Sequence, residues 1–171
     1  LLHRIPTPEA FVWADREIAS VLVDHARPDR LWDAHKLEAN TVRTVLIHTM
    51  LHTRNTIARP WRQGLQLGAA PVDDGIGLFM KSDRPYQGRI EFDIPRHRIY
   101  LGFTQDWPRM NAVPEWFTVE PDTAHRYSVE NVDTGSTQDY TGKSLAAGLP
   151  VNLQADKPLR IVVRPLPPGL R

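Results

Sequence analysis

Two histidines at a helical spacing are the first residues of this chain whose types could bind a metal. His48 and His52 are four residues apart, so on a helix their side chains lie one above the other. Two imidazoles at that spacing can bind one divalent ion, and His35 or Glu38 could supply a third ligand. The glutamate that follows the first histidine in zinc proteases is missing, because the segment reads His-Thr-Met-Leu-His. Two of seven histidines also reach this spacing by chance. The sequence therefore favours a structural or surface role and keeps a divalent metal as the alternative.

A second candidate is the segment 105–120, in which tryptophans and carboxylates are close together. Two carboxylates that flank a sugar could act as acid and base, and a tryptophan ring could stack on a pyranose. The carboxylates of this segment are Asp106, Glu115 and Glu120. The candidate glycan contacts are Trp107, Arg109, Glu115 and Trp116. The favoured alternative is a proline-braced loop whose tryptophans fill the core and whose carboxylates pair with arginines.

A local basic set could bind an acidic sugar or a phosphate. It comprises Arg96, His97 and Arg98, together with Arg89, Arg109 and Arg126. A solvated strand face that pairs with Glu91 and Asp93 is the favoured interpretation. The sequence has no glycine-rich phosphate loop and no Gly-x-Ser-x-Gly elbow, and the spacing of its Ser, His and Asp residues does not indicate a catalytic triad.

Composition excludes several classes of function. The chain has 171 residues, a net charge of +1 and no cysteine. Disulfides, thiolate metal sites and cysteine nucleophiles are therefore excluded, and the balanced charge argues against nucleic-acid binding. No apolar run approaches the roughly 20 residues of a membrane span. Because residue 1 is leucine and no signal-peptide pattern follows it, we expect a processed or excised piece.

The elements that would position these residues divide the chain in two. Residues 1–60 read as helical, and residues 61–171 carry most of the prolines and short alternating apolar runs. The first predicted helix runs from Pro8, after a Thr7 cap, to about Ala26. The second runs from about Asp33 to Ile57 and is apolar around most of its circumference. Such a helix predicts further helices around it, from another chain or from an upstream part.

The second part predicts antiparallel strands. Apolar residues alternate at 90–94 and 99–103, and further strand candidates lie at 77–81, 116–119, 126–132, 150–153 and 159–164. Residues 133–136 are predicted to form a turn between two strand-like runs. The fold class predicted is α+β, mainly an antiparallel β-sandwich with a short N-terminal helical segment.

Four short motifs follow one another in the last third of the chain: Tyr-Ser-Val-Glu-Asn-Val-Asp-Thr-Gly at 127–135, Tyr-Thr-Gly-Lys-Ser-Leu at 140–145, Gly-Leu-Pro-Val-Asn-Leu at 148–153 and Leu-Arg-Ile-Val-Val at 159–163. In this order they resemble the C-terminal β-sandwich of large carbohydrate-active enzymes. Residues 40–50, followed by Arg-Pro-Trp-Arg at 59–62, look like the last helix of an (α/α) toroid that leads into such a sandwich. Together these parts cover most of residues 33–164.

The resemblance implies a non-catalytic C-terminal portion of a glycoside hydrolase or polysaccharide lyase, with catalytic residues outside this chain. Such a portion would be an accessory domain that supports the catalytic domain. Possible glycan contacts would lie on this accessory domain. Its partners would be the rest of the parent enzyme or a second chain, and an oligo- or polysaccharide, with no nucleic acid, membrane or cofactor. It also favours a periplasmic or extracellular location. Two alternatives stay open: a small hydrolase that depends on a metal or a carboxylate pair, and a protein-interaction module.

Overall fold

The computed structural model describes residues 7–24, 39–103 and 113–167. The chain divides into two units, Leu1–Leu51 and His52–Arg171. In the first unit, α1 spans Pro8–Asp24. Helix α2 spans Ala39–Thr53 and so runs two residues into the second unit. Thr7 caps α1 as predicted, since its Oγ1 accepts a hydrogen bond from the Ala10 N–H at 3.3 Å. Among the described helices, none is long and apolar enough to span a bilayer.

Helix α2 ends at Thr53. The predicted end at Ile57 was therefore wrong by four residues. Arg54 and Asn55 have φ angles of 50° and 62°, a left-handed conformation that no α-helix continues. The Thr56 N–H then donates to the Thr53 carbonyl at 2.8 Å and closes the turn. Asparagine is the residue other than glycine that most readily ends a helix this way, so Asn55 was the signal in the sequence.

The second unit contains two antiparallel sheets. The small sheet has the order β1-β4-β7, with strands at Ile57–Arg59, Tyr86–Glu91 and Leu149–Leu153. The large sheet has the order β2-β3-β8-β5-β6. Its strands, in chain order from β2, are Leu65–Val72, Gly75–Ser82, Arg126–Asn131 (β5), Thr137–Thr141 (β6) and Leu159–Pro165 (β8). Residues 57–59 thus belong to a sheet although they precede the predicted boundary at residue 60.

The two sheets share one hydrophobic core. Alternate residues of each strand point inward, as in β7, where Leu149, Val151 and Leu153 are buried and the residues between them are exposed. The large sheet contributes residues such as Ile76 and Val163 to the same cluster. The predicted α+β class with mainly antiparallel, sandwich-like sheets is confirmed.

One predicted strand is a helix. Residues 99–103 show strand-like alternation, yet α3 spans Arg96–Leu101 and ends at Gly102, whose φ is 64°. Ile99 and Leu101 are exposed. The alternation was misleading because no sheet covers these side chains, and Pro95 with Gly102 provides the start and stop of a short helical turn. The segment 116–119, also predicted as a strand, forms only a single bridge, between Thr118 and Asp93.

A last short helix, α4, spans Gly142–Ala147 between β6 and β7. It begins at a Thr141 cap, whose Oγ1 accepts from the Ser144 N–H at 3.1 Å. Its first residue lies so close to the backbone that a Cβ at Gly142 would overlap the carbonyl oxygen of Glu120. Only glycine therefore fits this position without displacement of the neighbouring loop.

Candidate functional site

A buried carboxylate organises the surroundings of two predicted site residues. Asp93 accepts two hydrogen bonds from Arg96, from Nε at 2.7 Å and from Nη2 at 2.9 Å. It also accepts from Asn55 Nδ2 at 2.8 Å and from the Ile94 N–H at 3.0 Å. We call Asp93, Asn55 and Arg96 the Asp93 cluster. The hydrogen bond to Asp93 raises the pKa of Arg96, and partial burial opposes that rise. Arg96 and Asp93 thus form an ion pair joined by two parallel hydrogen bonds.

The loop that carries Glu115 docks on this cluster. The Pro114 carbonyl accepts hydrogen bonds from Asn55 Nδ2 at 2.7 Å and from Arg96 Nη2 at 3.2 Å. The Glu115 carboxylate accepts from the backbone N–H of His97 at 2.7 Å, and His97 Nδ1 lies 3.6 Å from the same oxygen. Glu115 therefore fastens the loop to the start of α3.

Trp116 is partly buried and packs against a cation. The guanidinium carbon of Arg54 lies 5.8 Å from the Trp116 ring centroid, within the range of a cation–π interaction. Arg54 is itself buried, and this burial lowers its pKa. The Trp116 ring thus contributes to the packing between the end of α2 and the loop.

Some predicted site residues lie outside the described residues, so their roles stay predictions. These are Asp106, Trp107 and Arg109 of the predicted carbohydrate site, and the possible metal ligands His35 and Glu38. Glu120 is described and pairs with Arg98. Of the predicted basic set, Arg96 pairs with Asp93 and Arg89 pairs with Glu91, as expected. The expected solvated strand face was wrong for Arg96, because Arg96 lies on α3 and its partner Asp93 is buried.

A three-residue group with metal-ligand chemistry lies on the two long helices. His48 and His52 share a face of α2, and Asp15 of α1 joins them. One ligand atom from each residue lies within 4.8 Å of the other two, and His48 Nε2 lies 2.7 Å from Asp15 Oδ1. Two imidazoles and a carboxylate form a ligand set that suits Zn²⁺ with an open fourth position. The sequence did not reveal Asp15, because Asp15 and His48 are 33 residues apart and come together only where the two helices meet.

Comparison of the chain with models of protein families, with curated proteins and with solved structures gives no match.

Proposed function

We propose that this chain is a non-catalytic β-sandwich portion of a carbohydrate-processing enzyme of the glycoside hydrolase or polysaccharide lyase type. It would support a catalytic domain that other residues form, and it would contact glycan. The antiparallel sheets agree with the architecture that the sequence resemblance implies.

The observation that carries the proposal is the way the carboxylates near Trp116 are engaged. Asp93 accepts four hydrogen bonds, Glu115 accepts a backbone N–H, and Glu120 pairs with Arg98. A glycosidase needs one carboxyl group that holds a proton and a second that faces it across the sugar. Carboxylates that already accept hydrogen bonds from cations and N–H groups of the protein serve packing, and they do not face each other across an open site. This favours support and recognition over catalysis.

The helices of the first unit support the proposed partner. Val12 and Trp13 of α1 and Leu46 and Ile47 of α2 are large apolar side chains with exposed fractions between 40% and 63%. Apolar surface of this kind is stabilised when another protein surface covers it. We propose that helices of the parent enzyme pack there.

The proposal predicts binding without turnover. Isothermal titration of the purified chain with neutral and acidic polysaccharides should show binding to at least one of them. The same mixtures should release no reducing ends, which hydrolysis would produce, and no unsaturated uronate, which elimination would produce. Turnover that persists in a freshly repurified chain would contradict the non-catalytic role, and an absence of binding across the whole panel would contradict glycan contact.

A second candidate function, divalent metal binding, is favoured by the group of Asp15, His48 and His52. A zinc ion would take the place of the proton between His48 Nε2 and Asp15 Oδ1, with His52 as third ligand. The ion could hold α1 against α2 or supply an open coordination position for a water molecule.

We expect one Zn²⁺ per chain in equilibrium dialysis, and an affinity that is at least about tenfold lower in His48→Ala, because loss of a ligand costs at least as much as loss of a residue behind it. His125→Ala is the control, since His125 also pairs with an aspartate, Asp122 (Nδ1 to Oδ2, 2.9 Å), at a more exposed position. Equal affinity in the two variants, or less than one zinc in the unmodified chain, would exclude this function.

A further inference from the structure

A cleft of about 330 Å³ opens between the edge strands of the two sheets. Strand β7, at one edge of the small sheet, forms one wall. The opposite wall comes from β6, at the edge of the large sheet, from β5 beside it and from β8 beyond β5. We call it the β6–β7 cleft. Its volume lies at the lower end of the roughly 300–1,000 Å³ of small-molecule sites, which suits one or two sugar rings.

The strand register places polar side chains on the inward face of β6. Gln138 pairs with Val129, and Tyr140 pairs with Tyr127. Directly opposed residues of antiparallel strands point to the same face. Because Val129 and Tyr127 belong to the core, Gln138 and Tyr140 face the same way. Gln138 is nevertheless exposed and Tyr140 half-buried, so the interior face of the sheet is open to solvent at this edge.

The chemistry of the cleft selects an uncharged ligand. None of the described residues that line it carries a charge. Its polar groups are the amides of Asn131, Gln138 and Asn152 and the hydroxyls of Ser136, Thr137 and Tyr140. Such groups both donate and accept hydrogen bonds, as a polyol requires. Its floor contains Val129, Val151 and Ile161, which suits the C–H face of a pyranose.

Two of these amides are already oriented. The Tyr140 hydroxyl donates to Gln138 Oε1 at 3.0 Å, so the Gln138 NH₂ group is left to donate to a ligand. Asn131 Oδ1 accepts from the Asp133 N–H at 2.9 Å and from the Thr134 N–H at 3.2 Å. These two bonds fix the orientation of the Asn131 amide, so its NH₂ group is also left to donate to a ligand. Orientation before binding lowers the entropy cost of recognition.

We propose that the β6–β7 cleft binds one or two residues of a neutral glycan. The inference rests on the proposed function and gives it a location away from Glu115 and Trp116. A peptide strand added at the edge of β7 is less favoured, because Pro150 has no N–H and proline in an edge strand turns that missing donor toward the open side.

The test compares two faces of one strand. Gln138→Ala and Tyr140→Ala change the inward face of β6, and Asp139→Ala changes the outward face, where Asp139 opposes Ser128. The unmodified chain and the three variants are titrated with cellohexaose, xylohexaose, mannohexaose, maltohexaose and an acidic oligogalacturonate. We expect binding of a neutral probe by the unmodified chain and a loss of about three- to tenfold in each inward variant, as for the loss of one hydrogen bond or ring contact. Asp139→Ala should bind like the unmodified chain. Thermal melts check that all variants are folded.

The outcomes separate the cleft from the proposed function. Sugar affinity that is unchanged in both inward variants overturns the cleft and leaves glycan binding by the chain intact. Binding of the acidic oligogalacturonate alone also overturns the neutral-glycan cleft and leaves glycan binding by the chain intact. A chain that binds none of the probes overturns the cleft, and the polysaccharide panel described above then decides the broader proposal. Inward variants that lose affinity for an extended threonine- and valine-rich peptide, and not for sugars, assign the cleft to strand addition and overturn the proposal.

Discussion

Replacement of Asp93 by alanine is expected to lower the free energy of unfolding by about 3 kcal/mol, the lower end of the range for breaking a buried ion pair. The side chain of Asp93 is 7% exposed and that of Arg96 is 29% exposed. Without the carboxylate, the Arg96 guanidinium and the Asn55 amide keep only the Pro114 carbonyl as acceptor while they stay largely out of water. The partial exposure of Arg96 lets water replace some of the loss, which places the expected effect at the lower end.

The matched control is Asp139→Ala, which removes an aspartate from an exposed pair. Asp139 Oδ2 lies 3.2 Å from Arg126 Nη2, and both side chains are more than two-fifths exposed. Exposed pairs of this kind contribute about 0–1 kcal/mol. Urea denaturation followed by tryptophan fluorescence measures both variants. If the two lose similar stability, the Asp93 cluster is no more than a surface ion pair.

The second large effect is expected for Leu145→Ala. Leu145 is the centre of α4, has no exposed surface and belongs to the shared core. Truncation of a fully buried leucine removes its transfer free energy and leaves a cavity, which together cost about 2–5 kcal/mol. Because α4 contacts β4, β6 and β7, the loss should lower the stability of the second unit as a whole.

Lys143→Ala on the same helix is the control for helix propensity, since Lys143 is exposed. It should change the free energy of unfolding by no more than about 0.5 kcal/mol. Urea denaturation with an unchanged dependence on denaturant would show that both variants affect the folded state. A loss below about 1 kcal/mol in Leu145→Ala would mean that α4 is not integral to the core.

The sequence predicted strands best where apolar residues alternate regularly along the chain. Strands β3, β5, β7 and β8 were predicted because apolar residues recur at alternate positions along them, although Phe79 and Val162 interrupt the opposite faces of β3 and β8. Strand β6 lacks that alternation, since its inward residues include Gln138 and Tyr140. It was not among the predicted strands, and only the predicted turn at 133–136 indicated that a strand-like run follows. Residues 99–103 show the opposite error. They alternate like a strand but belong largely to α3, and their apolar side chains do not pack in a sheet.

The candidate site was harder to predict because its contacts are tertiary. Asp93 reads as the outward residue of an alternating strand, yet β4 ends at Glu91 and Asp93 is buried. Its burial depends on donors from Asn55 and Arg96, and Asn55 comes from a distant part of the chain. Asp15 likewise joins His48 only through the meeting of two helices. For Trp116, the sequence offered a choice between core packing and sugar stacking, and the contact with Arg54 is evidence for packing.

The overlap that any side chain at position 142 would make with the Glu120 carbonyl has an evolutionary consequence. A mutation at that codon is tolerated only if the loop after Glu120 is remodelled at the same time, and such paired changes are rare. Glycine should therefore persist there long after the surface of the sandwich has diverged. In a remote homologue, an invariant glycine between an edge strand and the following helical turn would be the position from which to begin an alignment with this chain.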